Sequence, residues 1–190
     1  MRHTKFMAGC VFLTLWAAGG SRAQYAPLPA VSPRDFAIMA WGFSPPDPAQ
    51  LQEMKQAGLN ISGFCKVADL DRVAAAGLAC FVYDGRALNY SLEKPWPEEK
   101  IRVNLASLAA EVKNKPAVLG VFLRDEPNVS LMPILGQFAA GVRQAMPGAL
   151  IYVDLLPTYG SPAQWGVPDY TTYVRKALDL GVSHRIPFRC

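Results

Sequence analysis

Histidine stands only at positions 3 and 184 of this 190-residue chain, so chemistry has to rest mainly on carboxylates and aromatic rings. The sharpest segment is Gly120-Val-Phe-Leu-Arg-Asp-Glu-Pro-Asn128, where an apolar strand ends in two acids and a proline that stops it from continuing. Side chains next to each other on a strand point to opposite faces, so Asp125 and Glu126 reach one substrate atom together only if the strand has already broken. The economical division gives Glu126 the role of general acid/base, with Asp125 binding Arg124, a backbone amide or a neighbouring loop. The competing assignment makes the two acids a cap and first-turn charge for the following helix, or a surface ion pair with Arg124.

These acids need elements to hold them. After a Pro-rich lead, short apolar runs alternate with helical patterns, the rhythm of βα units. Strands are expected at Phe36–Gly42, Leu59–Phe64, Leu78–Tyr83, Ala117–Leu123 and Leu150–Leu155. Between them come helices from about Pro48 to Ala57, Asp69 to Ala76, Glu98 to Lys113 and Met132 to Ala145, with a last one from about Asp169 to Leu180. Asp47 and Pro48 suit the N-cap and N1 positions of the first helix. Gly58 and Gly77 suit helix stops, where positive φ costs little. Ala57-Gly58-Leu59 and Ala76-Gly77-Leu78 repeat one helix end and strand start.

Strands separated by helices pair in parallel, as a doubly wound sheet or a (β/α)8 barrel. No Gly-x-Gly-x-x-Gly or Walker pattern follows a strand, which removes the main support for a dinucleotide fold. Trp41, Cys65, Asp84, Asp125, Glu126 and Asp154 all fall at strand C-termini, the face that carries barrel active sites. The expected fold is therefore α/β, a partial (β/α)8 TIM barrel comprising about the first five βα units over residues 36–180. The same alignment sets Cys65 opposite Asp84 and Cys80 opposite Ile61, a stagger of about 13 Å that exceeds the reach of a disulfide.

Gly120-Val-Phe-Leu-Arg-Asp-Glu-Pro-Asn128 resembles the fourth-strand motif of retaining (β/α)8 glycoside hydrolases of clan A, especially the family 42 β-galactosidase-like proteins and related secreted ones. The resemblance spans roughly Phe36 to Leu180, and only the Asp-Glu-Pro segment is distinctive. It implies that Glu126 is the acid/base of glycosidic cleavage. Many clan members carry Asn before that glutamate, where it touches the sugar 2-hydroxyl; here the position is Asp125. The clan takes its nucleophile from the seventh strand, whereas this pattern ends after the fifth βα unit, so weak or no activity is expected of the chain alone. A noncatalytic carbohydrate- or partner-binding module is the alternative. Trp41 and Tyr159 offer ring faces to sugar C–H groups, with core packing the equal alternative, and Asp84, Asp154 and Asn128 join Asp125 as polar contacts. Tyr83 reads as packing, and Trp96, between two prolines, as the pin of a surface loop.

Arg2, His3 and Lys5, then the apolar stretch Phe6–Ala18 and Ser21-Arg22-Ala23, read as a secretory signal over residues 1–23. The mature chain would begin with an extended lead, 24–35, end in an irregular tail, 181–190, and be secreted or periplasmic. The apolar stretch is shorter than a spanning helix needs, so no membrane association is expected after cleavage. The formal charge of +4 nearly vanishes once Arg2, Lys5 and Arg22 are removed, and nothing basic remains to argue for nucleic acid. Cys65, Cys80 and Cys190 lack metal-ligand spacing, and neither a metal nor a cofactor is expected. Open strand edges of a partial barrel predict self-association.

Overall fold

A computed structural model of the chain describes residues 36–180. The signal assigned to 1–23, the lead 24–35 and the tail 181–190, with His184 and Cys190, lie outside the described residues. Four parallel strands, β1 (Ile61–Cys65), β2 (Ala79–Val82), β3 (Val118–Arg124) and β4 (Leu150–Val153), pair in sequence order into one sheet. The protein is thus α/β.

The expected first strand, Phe36–Gly42, does not form. Only isolated parallel bridges join Met39 to Ile61 and Phe43 to Phe64 along the outer edge of β1. The segment still lies beside β1, because the Asn60 amide oxygen accepts from the Ile38 amide and the Asn60 amide nitrogen donates to the Phe36 carbonyl.

Helices α1 (Pro48–Gln56), α2 (Leu70–Ala75), α4 (Glu98–Val112) and α5 (Met132–Ala145) fall close to their expected positions. The Asp47 side chain caps α1 by accepting from the Ala49 amide, and Pro48 occupies the first turn, where a missing N–H costs nothing. Gly58 and Gly77 both adopt positive φ, the conformation a helix stop requires. Three-residue 3-10 turns precede α2 and α5. A short helix α3 (Gly85–Leu88) follows β2, and α6 (Pro162–Trp165) and α7 (Tyr170–Asp179) follow β4.

The sheet separates two cores. On one face Cys65, Cys80, Val82, Val121 and Leu123 pack with Leu51 of α1, Leu70 and Val73 of α2, Leu105 and Leu108 of α4, and Phe138 and Val142 of α5. On the other, Ile61, Phe64, Phe81, Leu119 and Phe122 form a second cluster whose fringe includes Met39, Leu150 and Tyr152. A third cluster gathers Met132, Leu156, Trp165, Tyr173 and Ala177 around α6 and α7. Gly120 is required by proximity: a Cβ there would stand 2.1 Å from the Leu150 carbonyl oxygen, so any side chain would part β3 from β4.

The cysteine stagger needs correction. Cys65 pairs with Val82 rather than Asp84: Ile61 already faces Ala79 rather than Cys80, and the β1–β2 register slips by one more residue between Ile61 and Phe64. Cys80 therefore lies two positions from Cys65's partner, not four, although both thiols are free as expected.

Candidate functional site

β3 ends at Arg124, and the chain turns sharply two residues later: Glu126 has φ 42°, the only positive φ outside glycine among the described residues. The break that would let both acids serve one place has occurred. A left-handed non-glycine residue is strained and held by its surroundings. Here the hold is a continuation of the β3–β4 ladder, with the Asp154 amide donating to the Arg124 carbonyl at 3.0 Å and the Glu126 amide donating to the Asp154 carbonyl at 3.1 Å. Asp125, Glu126 and Asp154 are thereby gathered at the C-terminal ends of β3 and β4.

The three acids act on one another. Partial burial lifts the Asp154 carboxyl above its ordinary range, and the charges of Asp125 and Glu126 push the same way. The closeness of the Asp125 side chain adds a further, smaller push on Asp154 in the same direction. The neighbouring Tyr152 hydroxyl is also raised, first by burial and then by the charges of Asp154 and Asp125. Arg124 does not neutralise the group; its guanidinium lies 6.0 Å from the Tyr90 ring centroid on the helix side of the sheet. Of the partners expected for Asp125, neither Arg124 nor a backbone amide takes the role. Neither acid caps the following turn, because the Asn128 side chain does so by accepting from the Ser130 amide.

From this acidic end an aromatic cluster, with Phe64, Phe81 and Phe122 buried at its centre, runs across the sheet. Tyr152 meets Phe81 at 4.8 Å and Phe64 at 5.8 Å between ring centroids. Tyr83 stacks on Phe122 at 5.9 Å with planes 18° apart, and Phe43 meets Tyr83 edge-on at 4.8 Å. Trp41 stands edge-on to Phe64 at 5.3 Å and remains 60% exposed, while Phe43 is 58% exposed. Trp41 thus lies at the open side of this cluster, and Tyr83 packs against Phe122 and Phe43, as expected of it. Phe43 went unnoticed, although Trp41-Gly-Phe43 carries the alternation that places both rings on one side of an extended segment.

Other candidates are placed elsewhere or already engaged. Asp84 caps α3 by accepting from the Arg86 amide and pairs with the Arg86 guanidinium at 2.8 Å, which holds its carboxyl below the ordinary range. The Asn128 amide nitrogen donates to the Gln164 carbonyl at 2.7 Å, tying the β3 loop to α6. Tyr159 is 90% exposed on the loop before α6. Trp96 rests on Phe138 with Lys100 over its ring, in keeping with a loop pin.

Tyr173 of α7 escaped notice in the sequence. It is fully buried, and its hydroxyl donates to the Pro127 carbonyl at 2.8 Å and accepts from the Leu156 amide at 3.2 Å. One phenol thus latches the loop behind Glu126 to the loop behind Asp154. No signal at position 173 indicates this, since the partners are 46 and 17 residues away.

Among the described residues no group of three or more His, Cys, Asp or Glu side chains is arranged to hold a metal ion, and no helix is long and apolar enough to cross a membrane. No family model, curated protein or solved structure matches the chain.

Proposed function

We propose that this is an exported glycoside-hydrolase-like protein in which Glu126 is the general acid/base and a carbohydrate is the ligand. The observation that carries the reading is the meeting of Glu126, Asp125 and Asp154 at the C-terminal ends of β3 and β4, beside an aromatic cluster whose far side carries the exposed rings of Trp41 and Phe43. Glycosidic cleavage needs a proton donor and a second carboxylate flanking one bond, and ring faces suit the C–H surfaces of a pyranose. Asp154 is the second carboxyl group in this reading, and the clan's nucleophile, which comes from a later strand, is not assigned to it. The sequential strand order, with α1, α2, α4 and α5 contributing to one core, supports the first part of a (β/α)8 barrel, in which the Phe36–Phe43 segment takes the first position and β3 the fourth. Secretion, and self-association through open sheet edges, belong to the same proposal.

A panel of aryl glycosides assayed with the purified chain tests the reading. Glu126→Gln is expected to abolish turnover, a loss of at least about 100-fold for a missing acid/base, with circular dichroism unchanged. An equal rate in the variant removes Glu126 from the mechanism. The exposure of Trp41 and Phe43 favours a second reading, carbohydrate binding without cleavage. In that case calorimetry detects oligosaccharide binding that Trp41→Ala weakens, while no glycoside is turned over.

A further inference from the structure

The exposed rings and the acids stand on one rim of the sheet. Residues 36–43 run parallel to β1, since Met39 bridges to Ile61 and Phe43 to Phe64. Alternation along this segment sends Met39, Trp41 and Phe43 to the face that holds Phe64 and Phe122. Exposure rises along the three: Met39 is half-buried, whereas Trp41 and Phe43 stand open at the end where the parallel strands finish. Phe43 meets Tyr83, the residue after β2, and Tyr83 stacks on Phe122 of β3. Asp125, Glu126 and Asp154 occupy the same end of β3 and β4.

That rim curves inward. Phe64 on β1 and Tyr152 on β4 are separated by β2 and β3, which in a flat sheet would set them about 14 Å apart. Their ring centroids lie 5.8 Å apart, and those of Phe64 and Phe122 only 4.3 Å. The face is therefore concave, and the rings at its far side come close to the acids. Trp41 stands 5.3 Å from Phe64, so at most about 11 Å separates its ring from that of Tyr152, which lies two residues before Asp154 on the same face. A sugar chain advances by about 5 Å per residue, close to one strand spacing, so this distance holds two residues.

We propose, resting on the reading of these carboxyls as a carbohydrate site, that the ligand is a chain of three or more sugar residues. One residue is held at the carboxyls, and another, two residues along, is seated on Trp41 and Phe43. Both rings are fixed by their neighbours, with planes 83° apart for Trp41 and Phe64 and 74° apart for Phe43 and Tyr83. They therefore present apolar surface to sugar C–H groups without first having to be ordered. A monosaccharide or disaccharide at the carboxyls falls short of them. Affinity should accordingly step up at the third residue, by about 10-fold for one sugar stacked on a rigid aromatic ring.

Calorimetric titration of the purified Glu126→Gln chain, which holds any substrate uncut, tests this with oligosaccharides of two to six residues from β-glucan, mannan, xylan, galactan and chitin. In the series that binds, affinity should rise about 10-fold between two residues and three. Adding Trp41→Ala should bring the longer chains down to the affinity of the disaccharide, with circular dichroism unchanged, and Trp41→Phe should recover part of the loss. The proposal is overturned if two residues bind as tightly as six, or if no series binds. It is equally overturned if Trp41→Ala leaves the length profile intact and instead reduces self-association in sedimentation, which would make the rings a contact between copies. The length profile of the Glu126→Gln chain decides the matter even if the Trp41 variants do not fold. Cleavage is judged separately with the wild-type chain: length-dependent binding without turnover keeps the proposal and removes hydrolysis, whereas turnover of aryl glycosides with no length dependence in binding does the reverse.

Discussion

At the scale of single residues, Asp154 and Asp84 show how one side-chain type is put to opposite uses. Asp84 has a guanidinium and a backbone amide and is held ionised, whereas Asp154 is partly buried beside two further acids and is pushed toward its neutral form. A raised carboxyl pKa means that the folded state binds the proton more tightly than the unfolded one. Stability therefore falls as pH rises from the unfolded value through the raised one. Asp154→Asn should remove that loss, raising the melting temperature at pH 7 by about 1–2 °C for so exposed a group and giving no gain near pH 3. Equal shifts at both pH values, read by calorimetry, would refute the account. For Asp84 the sign reverses: its contribution is present above the unfolded pKa and lost as pH falls through the lowered one. Asp84→Ala should cost about 1 kcal/mol in urea unfolding at neutral pH by uncapping α3, yet leave carbohydrate binding unchanged. A selective loss of binding would restore the substrate contact expected from its strand-end position. Sequence position located Asp84 correctly, but its environment depended on Arg86 curling back over two residues.

At the scale of elements, the site depends on two loops being held together by a helix that contributes nothing to the sheet. Replacing Tyr173 with phenylalanine keeps the ring in its cluster and removes only the hydroxyl, leaving the Pro127 carbonyl and the Leu156 amide without their partner. Two such groups stranded in a buried setting should cost about 1–3 kcal/mol. Carboxyl carbon resonances provide the more specific test: Tyr173→Phe should bring the Asp154 titration closer to an ordinary aspartate as the loops part. A loss of stability with the Asp154 titration unmoved would reduce Tyr173 to a packing residue. Of the elements themselves, α5 could be read from sequence to its exact ends, because Met132–Ala145 carries a strong apolar periodicity. The capping box at Ser161 and Gln164 was also there to be read, but α6 spans four residues, too few to show a period. The strand register was misread for a physical reason. Aligning strands by their preceding glycines assumes equal connections and no slip, whereas Ile61 faces Ala79, one residue short of the aligned Cys80, and a further slip occurs between Ile61 and Phe64.

At the scale of the whole molecule, sequential parallel order leaves the strands unequally supported. β2 has a partner on each side and is buried throughout, whereas β4 pairs only with β3 among the described residues and is half-buried along its length. The class and the parallel pairing were legible because each crossover brings its own helix, and Gly58 and Gly77 mark where the first two helices stop. The edge was not legible, since a strand's exposure depends on what lies beside it rather than on its own residues. Local opening should follow this gradient, because exchange is slowest where backbone bonds are flanked on both sides by packed strands. Hydrogen exchange at neutral pH should find the amides of Cys80–Val82 the most protected in the sheet and those of Leu150–Val153 the least. The prediction bears directly on the site, because β4 carries Asp154 to its place beside Glu126. A β4 as protected as β2 would mean that its outer edge is covered, and the expected self-association through that edge would lose its physical basis. If β4 does open first, rising protein concentration should slow its exchange selectively, as a second copy occupies the free edge.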